Sequence, residues 1–188
     1  MIGIDEVGRG AWAGPLLVVA ARQKRDLPKG LKDSKKLSVR QRVALYDHIT
    51  TACDLGEGWV TASEIDGYGL VEAMRMAVAR ALYAIDAKSD EEIIMDGLIN
   101  FCDPSFLQVA CIARADDSYP LVSAASIYAK VTRDRYMAKL DGSYALYGFA
   151  KHVGYGTKMH MEKLTRYGIS DMHRVSFAPI KKIAHRQK

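Results

Sequence analysis

The sequence has few cysteines and no closely paired ones. Cys53, Cys102 and Cys111 show no CxxC spacing, and an odd number cannot close a disulfide framework, so they are read as small buried apolar residues. A membrane-length apolar run is also missing: the longest, Ala11 through Ala21, is too short to span a bilayer and is broken by Gly14-Pro15. The basic-then-apolar order of a secretory signal is absent, because Asp5, Glu6 and Arg9 precede that run. The expected setting is therefore the cytoplasm, without a membrane partner. No repeat, linker or low-complexity stretch divides the chain, so one fold is expected up to about Pro179, with Lys181 to Lys188 as a frayed basic tail. None of the five histidines belongs to an HxH or HExxH pattern.

What is present is the composition of a globule. With 49% hydrophobic and 26% charged residues, 188 residues can bury one sizeable core. A net charge of +5 permits a polyanionic partner without demanding one.

Ile2 to Asp5 reads as a strand leading into the turn Gly8-Arg9-Gly10, and Pro15 to Ala21 as a second strand that can pair with it as a hairpin. After the charged loop Lys24 to Lys36, Ser38 and Gln41 offer a capping box for a helix through Thr51. Gly58 to Thr61 suggests a third short strand. Leu70, Met74, Ala77, Val78, Ala81, Leu82 and Ile85 recur at helical spacing and mark an amphipathic helix. Glu92 to Asp96 and Leu107 to Ala113 are apolar runs of strand length. Pro120 suits the first turn of a helix reaching Leu140, and Thr157 to Tyr167 reads as a last helix. The order implies an α/β fold whose sheet has antiparallel and parallel members.

Asp5, Asp96 and Asp116 fall at or just beyond the carboxyl ends of these strands, the edge at which open α/β sheets build their sites. If the strands are neighbours, the three carboxylates and Glu6 can converge. Two like charges ~4 Å apart repel by roughly 4 kcal/mol at an effective dielectric of about 20, so such a cluster must take up protons or bind a cation. Oxygen ligands select Mg²⁺ or Mn²⁺, and two such ions suit phosphodiester hydrolysis. Taken singly, an Asp in the place of Asp96 or Asp116 is more often a turn former or helix N-cap than a ligand, whereas the Asp5-Glu6 pair puts charge where a core strand should still be pairing. Adjacent strand residues point to opposite faces, so Asp5 and Glu6 serve one site only if the backbone bends there, which Gly8 and Gly10 would permit.

The run Gly3-Ile4-Asp5-Glu6-Val7-Gly8-Arg9-Gly10 with Gly14-Pro15 resembles the amino-terminal signature of the ribonuclease HII family. Asp33-Ser34-Lys35-Lys36-Leu37, Ile94-Met95-Asp96-Gly97, Ser123-Ala124-Ala125-Ser126-Ile127 and Ala129 to Asp134 resemble later family segments in the same order. So do Tyr147-Gly148-Phe149, His152, Gly154-Tyr155-Gly156-Thr157, His160, His173-Arg174 and Ser176-Phe177.

The resemblance implies a single RNase H-like catalytic domain over residues 1–188: a mixed parallel and antiparallel sheet flanked by helices, with a helical segment from about 141 to 188 packed on it. It implies a four-carboxylate site for two divalent ions, Mg²⁺ or Mn²⁺, made by Asp5, Glu6, Asp96 and Asp116. Asp116 is chosen for its spacing to Ser123, and Asp117 stands as its alternative, because Arg114-Ala115-Asp116-Asp117 departs from the family's Lys-Gly-Asp. Gly8, Arg9 and Gly10 are implied to read a ribose 2′-hydroxyl, which glycine backbone can approach unobstructed. Tyr155 matches a tyrosine that stacks under the neighbouring sugar. Lys35 and Lys36 are candidate phosphate contacts, as are Arg133 and Arg174. His152, His160 and His173 are read as hydrogen-bonding residues rather than catalysts.

The implied activity is hydrolysis of the RNA strand of RNA/DNA hybrids and incision 5′ of a ribonucleotide embedded in duplex DNA. The partners are those duplexes, a monomer is the default, and no clamp-binding peptide is evident in the tail. Two rivals stay open: a nuclease restricted to long hybrids, and a non-catalytic nucleic-acid-binding module whose binding would be salt-sensitive and metal-independent.

Overall fold

The computed structural model describes residues 1–31 and 37–185. A five-stranded sheet runs in the order β3-β2-β1-β4-β5, formed by β1 (Ile2–Val7), β2 (Leu16–Gln23), β3 (Cys53–Val60), β4 (Glu92–Asp96) and β5 (Gln108–Ile112). β3, β2 and β1 are antiparallel neighbours, whereas β4 and β5 join β1 in parallel. The mixed sheet expected from the element order is the one found.

The apolar run in β2 is continuous because both of its faces are covered. Leu16, Val18 and Ala20 share one buried cluster with Ala73, Ala77, Val78 and Ala81 of α3 (Leu70–Ala84). Leu17, Val19 and Ala21 share the other with Ile49 of α1 (Val39–Ala52) and with Leu121, Ala124, Ala125 and Tyr128 of α4 (Pro120–Leu140). α1 begins with the expected capping box of Ser38 and Gln41, and α4 begins with Pro120 in its first turn. Met74 is core filling, as its position on the apolar stripe implied.

Three helices lie outside the sequence expectations. α2 (Ala62–Tyr68) starts at Thr61, which caps it together with Glu64 instead of ending a strand. α5 (Phe149–His152) is a single turn, and α7 (Ala178–Ala184) occupies much of the expected basic tail. α6 (Lys158–Tyr167) matches the helix expected over Thr157 to Tyr167, with Thr157 as its cap. α7 forms because Ile180 is fully buried and Ile183 packs beside it, in a cluster with Ala13, Met137, Tyr147, Phe149 and Leu164. Burying a side chain of that size contributes about 1.5–3 kcal/mol, enough to hold a short helix whose lysines face outward. This cluster presses the residues after 141 against the end of α4 and the segment between β1 and β2. Of the cysteines, Cys53 is buried as expected, while Cys102 and Cys111 are partly exposed.

Candidate active site

The parallel register of β1 and β4 pairs Ile2 with Ile93, Gly3 with Ile94 and Ile4 with Met95. Asp5 and Asp96 come next, side by side at the carboxyl edge. Asp5 is buried, and its Oδ1 accepts the Glu6 N–H at 2.7 Å. Burial pushes the Asp5 carboxyl well above the usual carboxylate range, and the charge of Glu6 adds to this; Asp96 contributes a smaller push. Hydrogen bonds from Ser126 on α4 and from the Glu6 backbone act in the opposite direction.

The Asp96 carboxylate accepts the Ala115 N–H at 2.8 Å, which fastens it to a short 3-10 turn, Ala115–Asp117. That turn opens at Arg114 in the left-handed region, with φ 59°. Within it Asp116 is buried, and its backbone oxygen accepts the Ser123 hydroxyl at 2.6 Å. Asp117 is exposed and its carboxylate pairs with Arg114 at 2.9 Å.

A cleft of about 410 Å³ opens at this edge, lined by Asp5, Glu6, Val7, Gly8, Arg9, Gly10, Ser126, Lys130 and Tyr155. Asp5 and Glu6 both reach it although β1 continues through Val7, so the expected bend falls later, at Gly8, where φ is +85°. Asp96 and Asp116 do not line the cleft. Among the described residues, no group of three or more His, Cys, Asp or Glu side chains is arranged to hold a metal ion. The donor chemistry nonetheless fits a hard divalent ion: the carboxylates are oxygen donors, they repel one another, and one of them is desolvated. Mg²⁺ in particular is held by one or two carboxylates with water and substrate phosphate completing its shell, and needs no cage made wholly of protein.

The glycine turn is fixed from three sides. Gly8 donates its N–H to the Tyr155 hydroxyl at 3.2 Å, and a Cβ at Gly8 would lie 2.2 Å from the Arg133 Nε. Gly10 is exposed, and nothing lies within 4 Å of where its Cβ would stand, so that space is open to an outside ligand. Arg9 pairs with Glu6 at 3.5 Å and sits over the Phe101 ring.

Arg133 and Arg174 correct the expectation that they grip phosphates. Both are fully buried. Arg133 donates to the carbonyls of Pro15, Val153 and Ala13, and Arg174 to those of Gly14 and Arg9. They staple the segment between β1 and β2 to the carboxy-terminal helices. Burial lowers both guanidinium pKa values, that of Arg174 to about 9, which leaves Arg174 charged at neutral pH. Lys35 and Lys36 lie outside the described residues.

Two cleft residues escaped the sequence reading as functional groups, Ser126 and Lys130. Their spacing of four on α4 puts them on one helix face, a signal that points to the cleft only once that face is known. Lys130 also pairs with Asp134 at 2.9 Å. A larger cavity of about 670 Å³ lies between α3 and residues 100–104, and none of Asp5, Glu6, Asp96 and Asp116 lines it. Size alone therefore does not mark the site.

The model of the family described as Ribonuclease HII matches residues 2–180. A ribonuclease HII of Geobacillus thermodenitrificans is 43% identical over 182 residues, covering 95% of this chain and 68% of that relative. The ribonuclease H2 structure of Pyrococcus horikoshii is similar at 29% identity, with a TM-score of 0.76, covering 98% of this chain and 97% of the other. The structure of the PCNA:RNase HII complex from Archaeoglobus fulgidus is similar at 27% identity, with a TM-score of 0.78 and coverage of 94% of each chain.

Proposed function

The chain belongs to the ribonuclease HII family, a family of endoribonucleases, and from that premise we propose that it hydrolyses the RNA strand of RNA/DNA hybrids and incises duplex DNA 5′ of single embedded ribonucleotides. The observation that carries this reading is the adjacency of Asp5 and Asp96 at the carboxyl ends of neighbouring parallel strands, beside a cleft walled by the Gly8 turn.

Asp5, Glu6, Asp96 and Asp116 would hold two divalent ions, Mg²⁺ or Mn²⁺. When bound, such ions activate water and neutralise the charge that builds on a phosphodiester during in-line displacement. Asp116 is the better fourth ligand, because it is buried while Asp117 is committed to Arg114. The Ala115 N–H orients the Asp96 carboxylate, and the Glu6 N–H orients that of Asp5, so these two ligands each have a supporting donor. Lys130 brings a positive charge to the cleft near the expected path of the phosphates.

The backbone of Gly8, Arg9 and Gly10 contacts the ribose 2′-hydroxyl, the atom that separates RNA from DNA. Tyr155, held by Gly8, packs under the adjoining sugar and senses an RNA-to-DNA junction. Lys35 and Lys36 contact the phosphate backbone without reading sequence. The products carry 3′-hydroxyl and 5′-phosphate ends. The carboxy-terminal helices belong to the same catalytic unit, since Tyr155 lies in the segment that joins α5 to α6, and the chain acts in the cytoplasm.

The test is cleavage by the purified chain of two end-labelled substrates, a long RNA/DNA hybrid and a DNA duplex with one ribonucleotide. Mg²⁺-dependent cutting of both, abolished by chelator, is expected. Cutting of the hybrid alone would restrict the substrate range, and metal-independent binding without cutting would refute the nuclease reading.

A further inference from the structure

His160 and His173 lie behind the cleft, both buried, and their hydrogen bonds allow only one placement of protons. The Ser170 backbone N–H donates to the His173 Nδ1 at 2.9 Å, so that nitrogen must carry a lone pair. The Ser170 hydroxyl lies 2.9 Å from the same nitrogen. A neutral His173 therefore carries its proton on Nε2, which faces the His160 Nε2 at 3.0 Å. The His160 Nε2 must then accept, which leaves its proton on Nδ1. That nitrogen lies 3.0 Å from the Tyr155 carbonyl oxygen, which can only accept. An obligate donor at one end and an obligate acceptor at the other thus select the same tautomers from both directions.

We propose that His173 and His160 act as a positioning relay, in which the proton on the His160 Nδ1 holds the Tyr155 carbonyl and so sets the Tyr155 hydroxyl against the Gly8 N–H. A second proton on His160 would bring two N–H groups face to face across the 3.0 Å contact, and one on His173 would sit on Nδ1 and face the Ser170 N–H at 2.9 Å. The surroundings favour the neutral rings. His152 stacks on His160 at 4.2 Å, and the Tyr147 ring lies 5.0 Å from that of His173. Asp171 is the charged neighbour that favours a protonated His173, and its influence is smaller than that of burial. Arg133 lies over the Tyr155 ring at 5.6 Å and adds positive charge on the far side. Any consequence for junction recognition rests on the role of Tyr155 given under Proposed function; the relay itself does not.

Two side-chain replacements separate the roles of the two ring nitrogens. In His160→Asn the amide stands near the place of Nδ1 and can still donate to the Tyr155 carbonyl. In His160→Gln it reaches toward His173 and cannot. The proposal expects nitrogen-correlated NMR of the full chain at neutral pH to show the Nδ1-protonated tautomer at His160 and the Nε2-protonated tautomer at His173. It expects the Gly8 amide resonance to move in His160→Gln and to stay near its wild-type position in His160→Asn. The opposite tautomers, or an unmoved Gly8 resonance in His160→Gln, would overturn it. If His160→Gln does not fold, His173→Asn, which loses the Nε2 donor, and His173→Gln, which keeps it, give the same contrast.

In cleavage assays His160→Gln should lose about tenfold in the rate on a single-ribonucleotide duplex relative to a long hybrid, the size of one hydrogen bond's contribution. His160→Asn should stay near wild type. Equal loss on both substrates would mark a merely structural role and overturn the proposal. If the wild-type chain cleaves neither substrate, the nuclease reading falls, while the tautomers and the Gly8 resonance still decide the relay.

Discussion

Asp5 and Asp96 stand next to each other on adjacent parallel strands, one position past the pair Ile4 and Met95, and each carboxylate accepts a backbone N–H that fixes its direction. Such an arrangement is costly without a cation, because one of the two groups is buried and like charges face it.

Replacing Asp5 or Asp96 by Asn keeps the shape and removes the charge. Loss of a metal ligand removes several kcal/mol of transition-state stabilisation, so turnover should fall at least about a thousandfold. Affinity for duplex should change little. Because burial disfavours the Asp5 charge, Asp5→Asn should melt no lower than wild type in metal-free buffer. Full activity in the purified variant would remove Asp5 from the site.

Tyr155→Ala should slow cleavage at a single embedded ribonucleotide more than cleavage of a long hybrid. Tyr155→Phe tests the hydroxyl alone: it leaves the Gly8 N–H without its acceptor, at a cost of about 1–3 kcal/mol if water cannot replace it. An unchanged rate of Tyr155→Ala on the single-ribonucleotide duplex would take Tyr155 out of the site.

Arg133→Met and Arg174→Met should unfold at markedly lower temperature. Arg133 satisfies three backbone carbonyls, and each acceptor left buried and unpaired costs about 1–3 kcal/mol. A milder Arg174→Lys should lower the melting temperature while leaving the salt dependence of duplex binding unchanged, because no phosphate contact is lost. A shallower salt slope with intact stability would return Arg174 to the nucleic-acid interface.

Acid should destabilise the carboxy-terminal packing. Burial holds His160 and His173 near pKa 4, below their usual 6.5, so the unfolded chain takes up more protons than the folded one across that interval. The stability that the neutral rings contribute is complete above about pH 6.5 and is lost as the pH falls toward about 4. Chemical denaturation at stepped pH checks this, and replacing both histidines should flatten the dependence in that window.

Much of the fold was legible because local chemistry and tertiary structure agree. Ser38 with Gln41, Pro120 and the stripe from Leu70 to Ile85 each mark an element that the chain forms. The Asp5 and Asp96 positions followed from where the apolar strands stop. α2 was missed because seven residues are too few to display a period, even with Thr61 and Glu64 capping it. α7 was hidden by Lys181 and Lys182, which make a packed helix look like a solvated tail. Arg133 and Arg174 misled for a related reason: charge in a sequence suggests exposure, and nothing local reveals that carbonyls from residues more than a hundred positions away wait to receive it. The histidine relay is likewise a tertiary property, because Ser170, His173, His160 and Tyr155 meet only when α6 docks.

Anomalous diffraction from crystals of the chain grown with a hybrid duplex and Mn²⁺ bears most directly on whether these carboxylates serve a metal. Peaks between Asp5 and Asp96, in contact with a phosphate oxygen of the RNA strand, are the predicted result. Ordered duplex in the cleft, with no manganese near either carboxylate, would contradict it.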